Sequence, residues 1–112
     1  MEAGRLGRGN VWWVNLDPTQ GSEIKKIRPC VLVAATPINR ARRTVLVVPL
    51  SSSGSTPHPP ITVRVLCMGK NAVAVCDQLR AVDKARLTDW IELMESKSLD
   101  TIGKALLQVL SI

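Results

Sequence analysis

The run Thr44-Val45-Leu46-Val47-Val48-Pro49-Leu50 limits the available folds more than any other stretch of the chain. It is almost continuously apolar, rich in β-branched side chains and short for a core helix, so it reads as a strand buried on both faces. Such a strand sits in the middle of a sheet and needs neighbours. The chain supplies them as short apolar runs separated by turn signals. Residues 11–16, Val-Trp-Trp-Val-Asn-Leu, read as the first strand, and Asp17-Pro18-Thr19-Gln20-Gly21 turns the chain out of it. Large side chains fall on both faces there, so one face meets the core while the other joins it or meets a second surface, such as a partner subunit. Residues 30–34 form the next strand, entered through Arg28-Pro29. The proline lacks an N–H, suits the first position of a strand and holds Arg28 extended. Ile61-Thr62-Val63-Arg64-Val65 alternates with period two, Gly69-Lys70-Asn71 turns the chain, and residues 72–76 return as the hairpin partner.

Other segments connect these strands or cover them. Residues 36–43 are a basic connection, and residues 51–60 a small, polar, proline-rich loop. Asp77-Gln78 ends the fifth strand, and residues 79–83 leave the sheet. Asp83 caps a short helical turn near 83–87. Residues 87–94 fit a helix through Leu87, Trp90, Ile91 and Met94, or a brief final strand through Ile91-Glu92-Leu93. Leu99, Ile102, Leu106, Val109 and Leu110 follow helical spacing, which predicts a C-terminal helix over about 98–110 packed on the sheet. Gly103 weakens that helix by ~1 kcal/mol relative to alanine and marks a close approach. The class is therefore α+β, mainly β: a small rolled antiparallel sheet or barrel of five or so strands with one terminal helix. Residues 1–8 read as a flexible basic arm, and residues 9–112 as a single domain.

Composition narrows the function. Hydrophobic residues make up 46% of the 112, enough for a core, but the aromatics are three tryptophans, so stacking platforms for many bases are scarce. Fifteen Lys and Arg against nine Asp and Glu give a net charge of +6, which suits a polyanionic partner such as nucleic acid or an acidic protein segment, and equally serves solubility. No run approaches the ~20 apolar residues of a membrane span, and residues 1–5 lack the apolar stretch of a signal peptide, so a cytosolic protein is expected. Cys30, Cys67 and Cys76 have no CxxC spacing and only His58 beside them, so they read as small buried hydrophobes, with neither a disulfide framework nor a metal site.

The chain has no glycine-rich phosphate loop, HExxH or GxSxG, and a single histidine excludes a two-imidazole ribonuclease mechanism. Polar residues gather where loops meet strand ends: Glu23, Lys25, Lys26, Arg28, Ser51, Ser52, Asp77, Gln78 and Arg80. In a rolled sheet such ends converge on one side and make a cationic groove flanked by carboxylates, which is what phosphodiester chemistry needs.

These residues carry a resemblance. Gly9-x-Val11-x-Trp13-Val14-x-Leu16-Asp17-Pro18-Thr19-x-Gly21-Ser22-Glu23, then Arg28-Pro29-Cys30-Val31-Leu32-Val33, Val48-Pro49-Leu50-Ser51-Ser52 and Asp77-Gln78-x-Arg80-x-x-Asp83-Lys84-x-Arg86-Leu87 closely resemble the MazF/PemK toxin family, over about residues 9–110. The resemblance implies an SH3-like barrel, a homodimer, and a metal-independent endoribonuclease, without cofactor, that cuts single-stranded RNA at short sequences. It implies a bacterial cytoplasmic toxin held by an antitoxin whose acidic, disordered tail lies over the RNA groove.

By position, Arg28 matches the family's catalytic arginine, and Ser51 stands where many members have threonine. Glu23 matches the acidic residue of the GSE or GHE motif, and Asp77-Gln78 an acidic-Gln pair near the RNA groove. Lys25, Lys26, Ser52 and Arg80 are expected to grip RNA. Ser22 replaces the histidine of some members and Val75 the arginine of others, so the version built on Arg28 and Ser51 is preferred. Ile24-Lys25-Lys26 replaces a Gln- and Gly-containing loop and implies a different cleaved sequence. Two other functions compete: a gyrase-inhibiting toxin of the same fold, as in the CcdB relatives, and a barrel that binds RNA without cutting it. Arg28-Pro29 and Pro49-Leu50-Ser51 favour the nuclease.

Overall fold

β3 (Thr44–Ser51) is the strand around which the sheet is assembled, in a computed structural model that describes residues 3–16, 27–52 and 56–112. Its neighbours are β1 (Asn10–Asn15), β2 (Ile27–Leu32), β4 (Thr62–Cys67), β5 (Lys70–Val75), β6 (Arg80–Asp83) and β7 (Leu87–Leu93), with α1 (Thr36–Ala41) and α2 (Ser96–Leu110) outside the sheet. The order is β4-β5-β3-β2-β1-β7, and β6 pairs with β3 off that path. Every strand pair is antiparallel. β3 is thus shared three ways: its first half pairs with β6, its middle with β2 and its last two residues with β5.

Period-two alternation explains why that run has so few polar residues. Val48 and Leu50 point into a core made with Val31, the β4–β5 hairpin and the Ile102, Ala105 and Leu106 face of α2. Val45 and Val47 point into a second core with Cys30, Leu32, Trp12, Val14, Val82 and Leu87. Leu32 and Val47 are fully buried, and each such side chain contributes about 1.5–3 kcal/mol of transfer free energy.

Four sequence expectations change. Residues 79–83 do not leave the sheet, because β6 pairs through Thr44↔Asp83 and Val47↔Arg80. The basic connection contains α1, started by Pro37 in its first turn; its buried residue is the polar Asn39, whose Nδ2 donates to the Ala34 carbonyl at 3.0 Å. The ambiguous segment 87–94 is strand β7, paired with β1. Residues 3–8 are tied down, not loose. Ala3–Leu6 forms a 3-10 turn with Leu6 buried, Trp12 Nε1 donates to the Arg5 carbonyl at 2.8 Å, and the Arg5 guanidinium lies 4.1 Å from the Trp90 ring centroid. A cation–π contact and a buried leucine give that segment reasons to order that charge counting does not see.

The C-terminal helix forms as expected, two residues earlier, and Asp83 caps the 3-10 turn at 84–86 by accepting the Ala85 N–H at 2.8 Å. Gly103 is a close approach: a Cβ there would stand 3.2 Å from Arg8 Nη2, and Arg8 Nη1 donates to the Val33 carbonyl. Among the described residues no helix is long and apolar enough to cross a membrane.

Candidate functional site

The site lies where β2 and β3 part company. β2 pairs with β1 from Ile27 onward but with β3 only from Cys30↔Pro49. Pro29, which has no N–H to give, sits where the β3 side makes no ladder bond. Continued by two residues, the register would bring Arg28 across from Ser51, but at that point β3 is paired through Leu50↔Ala74 and Ser51↔Val73 to β5. A space opens between the two strand ends, and both Arg28 and Ser51 line it.

Two clefts share that wall. The larger, about 570 Å³, has Arg28, Ser51 and Ser52 on one side, and Trp13, Met68, Lys70 and Asn71 among the residues that complete it. The smaller, about 340 Å³, joins Arg28 and Ser51 to Gln78 and Arg80. Arg28 and Ser51 are half-buried, whereas Ser52, Gln78 and Arg80 are exposed. Asp77 sits in the 3-10 turn Cys76–Gln78, exposed, and lines neither cleft. Glu23, Lys25 and Lys26 lie outside the described residues.

The local electrostatics are cationic and contain no ready sulfur nucleophile. Burial pushes the Cys30 thiol up to about 12, although the Arg80 and Arg28 charges, which both reach it, pull the other way. Cys67, on the larger cleft, is pushed up to about 11 by burial, with the Glu92 carboxylate adding to the effect. A thiol held protonated at neutral pH is a small neutral surface. The arrangement therefore offers a planar guanidinium fork, a hydroxyl and further donors around one space, which fits an anionic oxygen that gains charge during reaction.

Sequence reasoning missed Trp13, Met68, Lys70 and Asn71 as site residues. The turn it placed at Gly69-Lys70-Asn71 is one residue earlier, at Met68 and Gly69, both with positive φ (54° and 72°), so Lys70 and Asn71 open β5 instead. Trp12 and Trp13 also divide: Trp12 is buried in the second core, and Trp13, half-buried, faces the cleft.

Comparisons with known proteins identify the family and the fold. Endoribonuclease PemK of Escherichia coli is 37% identical over 85 residues, a match spanning 72% of this chain and 64% of that protein. Endoribonuclease EndoA of Bacillus subtilis (strain 168) is 29% identical over 103 residues, spanning 88% of this chain and 89% of that protein. A solved endoribonuclease in complex with its cognate antitoxin, from a mycobacterial species, superposes with a TM-score of 0.76 at 21% identity, covering 95% of each chain. The family model of the PemK-like, MazF-like toxin of type II toxin-antitoxin systems matches residues 7–110, and the chain belongs to that family.

Proposed function

We propose that this chain is the toxin of a toxin–antitoxin pair, and that it cuts single-stranded RNA at the wall shared by the two clefts. The observation that carries the reading is the meeting of Arg28 and Ser51 at the parted ends of β2 and β3, in a family whose relatives are named endoribonucleases. In the proposed reaction the ribose 2′-oxygen attacks the adjacent phosphorus and gives up its proton. The bond from phosphorus to the 5′-oxygen breaks and that oxygen takes a proton, leaving a 2′,3′-cyclic phosphate and a free 5′-hydroxyl. Arg28 supports the developing phosphorane charge with its donor fork, and Ser51 donates to the same oxygens. Glu23 or an ordered water is assigned the role of base, because a guanidinium is a poor proton donor or acceptor. Ser52, Gln78 and Arg80 hold flanking RNA, as do Lys25 and Lys26; Asp77, outside both clefts, is assigned to the rim. The chemistry asks for no metal or cofactor.

The partners follow from the family and the charge. A net charge of +6 favours an antitoxin with an acidic, disordered tail that covers the same groove. The chain, with residues 3–8 packed onto it, is taken as one cytoplasmic toxin domain that works as a homodimer. An RNA cleavage assay with EDTA present tests the reading. Arg28→Ala should lower kcat/KM by at least about 100-fold, the scale on which a lost charge-stabilising donor acts. Arg28→Lys should recover little, since an ammonium cannot reproduce the fork. Full activity in both folded variants would sink the assignment. Wild-type protein that blocks gyrase supercoiling and leaves RNA intact would favour the gyrase-inhibiting alternative.

A further inference from the structure

We propose that the larger cleft is a nucleobase subsite for a nucleotide adjoining the cut phosphodiester, with Trp13 as its stacking platform, Asn71 reading the base edge and Lys70 on a neighbouring phosphate. The inference rests on the proposed endoribonuclease reading and deepens it. If a phosphate lies against Arg28 and Ser51, the nucleotides on its two sides leave in different directions, and two clefts with otherwise different linings share Arg28, Leu50 and Ser51. The two clefts differ in chemistry. The smaller offers Gln78 and Arg80, whereas the larger has apolar walls in Trp13, Pro29 and Met68 and a floor that includes Ala72 and Cys67.

Four features suit the larger cleft to a base. Its volume of about 570 Å³ lies within the ~300–1,000 Å³ of small-ligand sites. Trp13 is half-buried on the cleft, and single-stranded RNA is recognised by stacking unpaired bases on such rings. The floor is uncharged, because the Cys67 thiol is held protonated by burial. Met68 adds an apolar side chain to the wall: with Gly69 it makes the two-residue β4–β5 hairpin turn, which sets its φ of 54°, and its N–H donates to Glu92 Oε2 at 2.7 Å.

Polar groups supply the selectivity. Asn71 is exposed at the start of β5 and carries both a donor and an acceptor, the pattern that pairs with the N6 and N7 positions of adenine. Lys70 beside it offers only donors on a point charge, which suits phosphate.

The test uses the full chain and short single-stranded RNA pools randomised around the cut. One pool is all-ribose, and its fragments are sequenced from their 5′ ends; the other is 2′-fluoro, cannot be cut and reports binding by selection. Asn71→Ala should relax base preference at one position next to the cut and leave other positions unchanged. Trp13→Ala should weaken binding of the 2′-fluoro pool roughly ten-fold, with Trp13→Phe restoring most of it. Unchanged preference in folded Asn71→Ala, or a Trp13→Ala variant that loses self-association yet keeps every base preference, overturns the subsite. Wild-type protein that selects a base in the 2′-fluoro pool but cuts nothing in the ribose pool defeats the nuclease reading and leaves the subsite standing. No base selection in either pool overturns the subsite itself.

Discussion

At the scale of single residues, Gly9 is held by its surroundings more tightly than any feature of its sequence neighbourhood suggests. Its φ is +96°, and a Cβ there would stand 2.9 Å from Leu99 Cδ2 and 3.4 Å from Leu93 Cδ1. Its N–H donates to the Leu32 carbonyl and its own carbonyl accepts from Met94 N–H, each at 2.8 Å. Gly9→Ala should therefore lower stability by about 1–3 kcal/mol, read as a lower urea midpoint with an unchanged slope. Arg28 and Ser51 were legible as polar residues at strand ends, and the family resemblance singled them out from the other residues gathered there. Lys70 and Asn71 were not, because next to a glycine such residues read as turn formers. Only the positive φ at Met68 moves the turn back by one residue and brings them onto the strand.

At the scale of elements, legibility follows how many apolar side chains an element buries. β3 buries both faces from Val47 to Leu50 and declares itself, although Leu46 in its first half is exposed. β6 buries only Val82 of Arg80-Ala81-Val82-Asp83, so in sequence it looks like a loop, yet its backbone pairs fully with β3. In α1 the buried side chain is a polar asparagine, so no apolar period marks it. β7 mixes a buried Leu87 with half-buried Trp90, Ile91 and Glu92, and that mixture satisfies helical and strand periods alike. Docking of α2 depends on one hydroxyl as well as on its apolar stripe. Ser98 Oγ accepts the Leu66 N–H at 3.0 Å and donates to Glu95 Oε2 at 2.9 Å, joining the helix to β4. Ser98→Ala removes both bonds and should cost about 1–3 kcal/mol, with faster amide exchange at Leu66 as the local sign.

At the scale of the whole molecule, the three thiols couple stability to alkaline pH. Cys30 is pushed up to about 12, and Cys67 and Cys76 to about 11, from an ordinary value of 9.0, in each case chiefly by burial. Above pH 9 the unfolded chain releases these protons and the folded chain keeps them, so the folded state binds more protons and loses stability as pH rises. The contribution is complete below pH 9 and falls away up to about pH 11–12. Thermal midpoints at about pH 8 and pH 10.5 should differ, and replacing Cys30 with valine, close in volume, should shrink the difference.

The pairing of β1 with β7, together with the core that α2 completes, bears on when activity begins. The β1 edge of the sheet is satisfied by a strand made some seventy residues later in the chain, and the core beneath β2 and β3 stays open until α2 arrives. A nascent chain emerging from the ribosome would thus carry Arg28, paired with Val14, and Ser51, paired with Val73, before the sheet edge and the core around them are complete. Contacts so distant in sequence form late. For a protein that destroys RNA, each message would be read through β7 and α2 before its product could act, and the timing of harm would be set by translation itself.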